Sequence, residues 1–62
     1  MAVYTREELL EARRAVASTL SKCEKAFLKL PPGKPQHTLL ARRIAAFRIS
    51  LDLLERELEN AP

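Results

Sequence analysis

Two residues in this chain belong to types that often do chemistry, Cys23 and His37, and each type occurs once. A cysteine becomes a nucleophile when exposure and a nearby base or cation favour the thiolate. Cys23 has Lys22 and Lys25 near it in sequence, but helical spacing turns both to other faces. Cys23 itself falls on an apolar stripe, the ordinary place for a small hydrophobic side chain. A disulfide between copies would form only if a symmetry axis brought two Cys23 residues together. One cysteine and one histidine cannot complete a tetrahedral metal site. The Glu-x-x-His spacing of di-iron bundles is also missing, because Lys34 stands three residues before His37. The carboxylates gather towards the two chain ends and read as solvated helix ends. No glycine-rich loop is present to cradle a phosphate. The chain therefore reads as non-enzymatic, with no catalytic residue, metal or cofactor expected.

The basic residues offer a different chemistry. Lys29 and Lys34 flank a proline-rich break, and Arg42, Arg43 and Arg48 follow it. Such a cluster could meet phosphates without reading sequence. The net charge is only +3, and aromatic residues make up 5% of the chain. Phe27 and Phe47 fit an apolar core, which leaves Tyr4 as the one ring free to stack on a base. No helix-turn-helix signature accompanies the cluster. A nucleic-acid-binding regulator is thus the second reading of this sequence.

These residues must be positioned by two helices. The run Leu30-Pro31-Pro32-Gly33-Lys34-Pro35 divides the 62 residues almost in half. Thr5 and Glu8 have the spacing of a capping box, so the first helix should begin at about residue 5. Proline disfavours helical geometry at the residue before it, so that helix should stop at about Leu30. The loop should cover about 31–35 and the second helix about 36–60, with either Pro35 as first helical residue or Thr38 as the cap. The chain forms one domain, 1–62. Its ends, Met1–Tyr4 and Ala61–Pro62, should lack regular structure.

Apolar residues recur in alternating steps of three and four. In the first helix the stripe is Leu9, Val16, Leu20, Cys23, Phe27 and Leu30, with Arg13 at a skipped site and Ala12, Thr19 and Ala26 beside it. In the second it is Leu40, Ile44, Phe47, Leu51, Leu54 and Leu58. A seven-residue repeat favours coiled-coil packing on a left-handed supercoil. Equal helices and a short loop favour an antiparallel helical hairpin.

One partner helix leaves apolar surface over. Leu39, Ala46 and Leu53 repeat every seven residues to one side of the main stripe, and Ile49 broadens that set. Leu10 and Leu28 extend the apolar surface of the first helix. Chains this small usually need disulfides, a metal or oligomerisation to be stable. These six residues are therefore the expected oligomer interface, and a homodimeric four-helix bundle is the expected assembly. Charge favours an antiparallel dimer. Residues 18–48, at the loop end, hold seven cations and one anion, while the remainder holds four cations and seven anions.

The layout resembles the Rop (repressor of primer) family, short helical hairpins that dimerise into antiparallel four-helix bundles and bind paired RNA loops. That resemblance is of architecture and carries no residue role across. The opening Tyr4-Thr5-Arg6-Glu7-Glu8-Leu9-Leu10-Glu11-Ala12-Arg13 looks like the start of small phage head-joining proteins of the lambda W type, which implies a phage or mobile-element assembly role. Those proteins carry a β-hairpin between their helices, whereas Lys22 to Leu30 here reads as continuing helix. Met1 to Glu8 lacks the apolar region of a signal peptide, and no stretch approaches the roughly 18 apolar residues of a membrane span. The expected location is cytoplasmic, and the leading function is a structural or protein-interaction module that self-associates.

Overall fold

Thr5 opens the first helix with both halves of a capping box. Its hydroxyl accepts from the Glu8 backbone N–H at 3.1 Å, and its own N–H donates to Glu8 Oε1 at 2.9 Å. This satisfies two donors that a helix start would otherwise leave without partners. The computed structural model describes residues 3–60, in which α1 spans Arg6–Lys29 and α2 spans Pro35–Asn60. Val3 and Tyr4 precede α1 without regular structure; Met1, Ala2, Ala61 and Pro62 lie outside the described residues.

Pro31 ends α1. Leu30 takes the extended conformation that a residue before proline prefers (φ −87°, ψ 131°), and its N–H donates to the Phe27 carbonyl. Gly33 has φ +89°, a left-handed value that favours glycine, and carries the chain round the turn. Pro35, rather than a residue beyond Thr38, is the first residue of α2. Its fixed φ suits that place, and a first-turn residue has no N–H partner to lose. No strand occurs among the described residues, so the interval that a β-hairpin would occupy is helix as far as Lys29.

The two helices pack against each other along their length in a rod of 45 × 19 × 15 Å. They run antiparallel: Arg6 reaches the Leu58 carbonyl at one end, and the rings of Phe27 and His37 lie 4.3 Å apart at the other. The seam follows the two apolar stripes. Leu9, Leu20, Ile44 and Leu58 are buried, and the other eight stripe residues are half-buried. Two helices can enclose only the line where they touch, so the core is thin.

The C-terminus of α2 has no basic residue in its last turn. Arg6 compensates from the neighbouring helix, donating to the Leu58 carbonyl at 3.3 Å. A cation at a helix's negative end offsets both the dipole and the unmatched carbonyls.

Candidate interaction surfaces

The hairpin has two broad faces, one on each side of the seam, and they differ in chemistry. On the first, ion pairs bridge the helices. Arg13 meets Glu55 at 3.0 Å, and Arg48 meets Glu24 at 2.8 Å. Arg13 occupies the skipped site of the α1 stripe and lies half-buried beside it, its head turned out to Glu55. Leu10 and Ala17 line a groove beside the first pair, and Leu28 lines one beside the second.

On the opposite face, Ala12 of α1 and Leu53 of α2 line a groove at the open end, between Glu8 and Glu57. Heptad spacing carries this face from Ala12 through Thr19 to Ala26 and from Leu53 through Ala46 to Leu39. Neither inter-helix ion pair lies on it. Two hydroxyls on it already have partners: Thr19 donates to the Ala15 carbonyl at 3.0 Å and Ser50 to the Ala46 carbonyl at 2.9 Å.

The six residues expected to form one interface therefore separate. Leu39 (48% exposed), Ala46 and Leu53 (57%) lie on the face without inter-helix ion pairs, with Ile49 (62%) at its outer margin. Leu28, 85% exposed, and Leu10, half-buried, lie on the ion-paired face. Helical spacing alone sets each group about a quarter turn from the main stripe of its own helix. Only docking the helices shows that the two sets fall on opposite sides of the seam.

The basic residues gather at the loop end without forming one flat patch. Lys29 ends α1, Lys34 precedes α2, and Arg42 and Arg43 project about 100° apart from an exposed stretch of α2. Arg48 is engaged with Glu24. Among the described residues Lys22, Lys25, Lys29, Lys34, Arg42 and Arg43 make no ion pair.

Cys23 is a half-buried free cysteine of the seam. His37 is half-buried, its backbone N–H donating to the Lys34 carbonyl and its ring tilted against Phe27. The structure brings neither of them into a cluster of metal-ligating side chains among the described residues. The Glu8 carboxyl titrates below its ordinary 4.5, because the Thr5 backbone N–H and then its hydroxyl stabilise the charged form; slight desolvation opposes them.

Sequence reading missed Arg6 as a cap for α2 and the contact between Phe27 and His37. The signal for Arg6 was present in the acidic, cation-free end of α2. Among the described residues no helix is long and apolar enough to cross a membrane. Comparison with protein-family models, curated proteins and solved structures finds no match to this chain.

Proposed function

We propose that this chain is a non-enzymatic structural or interaction module that works as a self-associated helical bundle, with the antiparallel homodimer as its basic unit. The observation that carries this reading is the imbalance of burial. Among the described residues four side chains are buried in the single hairpin, while Leu39, Ile49 and Leu53, on one face of α2, stand about half or more exposed. Each large apolar side chain gains roughly 1.5–3 kcal/mol on full burial, so covering these residues is a substantial drive to association. The bipolar charge along the rod selects orientation: a loop end of seven cations and one anion suits an open end of seven anions and four cations. Exposed pairs are worth only about 0–1 kcal/mol each, so apolar burial supplies the affinity. Leu39→Glu and Leu53→Glu should reduce the mass measured by sedimentation velocity to that of one chain. An unchanged mass in both would refute the reading.

A second reading rests on the six loop-end cations without ion pairs. A nucleic-acid-binding regulator would use Lys29, Lys34, Arg42 and Arg43 against phosphates, with binding that weakens steeply as salt rises. Replacing Arg42 and Arg43 by Gln should then abolish retention of mixed RNA and DNA in a gel shift. Absence of any shift at low salt would exclude it.

A further inference from the structure

We infer that the face without inter-helix ion pairs docks a second copy of this chain, with the two-fold axis crossing the hairpin at the level of Thr19 and Ala46. This rests on the self-association reading above and adds the face, the register and the symmetry element. The face carries two heptad-spaced triplets, Ala12-Thr19-Ala26 on α1 and Leu39-Ala46-Leu53 on α2. Each is symmetric in size about its centre. On α1 a threonine stands between two alanines; on α2 an alanine stands between two leucines. Arg6 meets Leu58 at one end and Phe27 meets His37 at the other, so Thr19 and Ala46 stand at nearly the same height.

A two-fold axis through that height, lying in the interface and crossing both helices, superposes the triplets on themselves in reverse. Each copy's Leu39 meets the other's Leu53, and Ala46 meets Ala46. On the other helix Ala12 meets Ala26, and Thr19 meets Thr19. Small residues at the centre let the backbones approach, and leucines fill the space on either side. The Thr19 and Ser50 hydroxyls can be covered without losing a partner, because each already donates to a carbonyl of its own helix.

Charge favours this axis over the alternative. A two-fold axis along the rod would set the two loop ends together, each with seven cations against one anion. The transverse axis instead places Glu8 and Glu57, at the open-end groove, beside the loop end of the other copy. Opposed charges then fix orientation and register. The ion-paired face offers a second copy no such match, because Arg13, Glu55, Glu24 and Arg48 are already paired within the hairpin.

The test places single cysteines in a Cys23→Ala background and reads disulfide-linked dimer after mild oxidation, with circular dichroism to check helicity. Ala46→Cys should link most of the chain, and Thr19→Cys should read the same axis from the other helix. Ala12→Cys should stay at background alone, because its own copy would lie roughly 21 Å away along the axis, far beyond disulfide reach. Mixing Ala12→Cys with Ala26→Cys should restore linkage. If the protein is dimeric by mass but neither axial cysteine links, while Ala17→Cys, at nearly the same height on the ion-paired face, does, the assigned face is wrong and self-association stands. If the mass is that of one chain throughout, both fall.

Discussion

Truncating Leu53 should weaken self-association by a calculable amount. In the single hairpin Leu53 keeps 57% of its surface exposed. Full burial of leucine gives roughly 1.5–3 kcal/mol, so covering the exposed part is worth roughly 1–1.5 kcal/mol. A symmetric dimer covers it twice, so Leu53→Ala should cost roughly 2–3 kcal/mol of association energy. At about 1.4 kcal/mol per tenfold, the dissociation constant should rise roughly 30- to 150-fold. Sedimentation equilibrium over a concentration series measures this directly. Leu28→Ala is the matched control: Leu28 is 85% exposed but lies on the ion-paired face, so its removal should leave the constant nearly unchanged. Helicity of both variants should persist, since neither residue is part of the buried seam. Equal losses from the two substitutions, or none from Leu53→Ala, would mean that the Leu53 face is not the dimer interface.

The thin core should be sensitive to truncation. Ile44 is among the four buried side chains of the described residues, so Ile44→Ala should cost about 2–5 kcal/mol in denaturant unfolding at fixed chain concentration. Gly33 has open space where a Cβ would go but a φ of +89°, so Gly33→Ala should lose roughly 1–2 kcal/mol through backbone strain, read as a lower melting temperature. Glu8 is held below its ordinary 4.5, so its cap contribution is full above that value and is lost as pH falls through the lower folded value. Glu8→Gln should abolish that part of the acid-induced loss of helicity, seen by circular dichroism between neutral pH and pH well under 4.5.

Much of the hairpin is legible in the sequence because its determinants are local. Thr5 and Glu8 are three residues apart, and Pro31 acts on its neighbour, so the limits of α1 follow from short-range sterics and hydrogen bonding. The stripe residues Leu9, Leu20, Ile44 and Leu58 follow from helical period alone, and all four are buried. What the pattern leaves open depends on how the helices are rotated and slid against each other. Arg13 with Glu55 and Arg48 with Glu24 are 42 and 24 residues apart in sequence, and no periodicity pairs them. For the same reason Leu28 and Leu53 read alike as surplus leucines, yet docking sends them to opposite faces. The start of α2 has two signals, Pro35 and Thr38. The structure begins the helix at proline, where an N–H is not needed.

On the proposed self-association, one hairpin is half of the working unit. Sedimentation equilibrium of the unaltered chain at micromolar concentration and moderate salt addresses it without any substitution. The mass should be twice the 7.0 kDa of one chain, falling towards the single-chain value only on dilution. A well-folded, fully helical species that remains at 7.0 kDa up to the highest attainable concentration would contradict self-association.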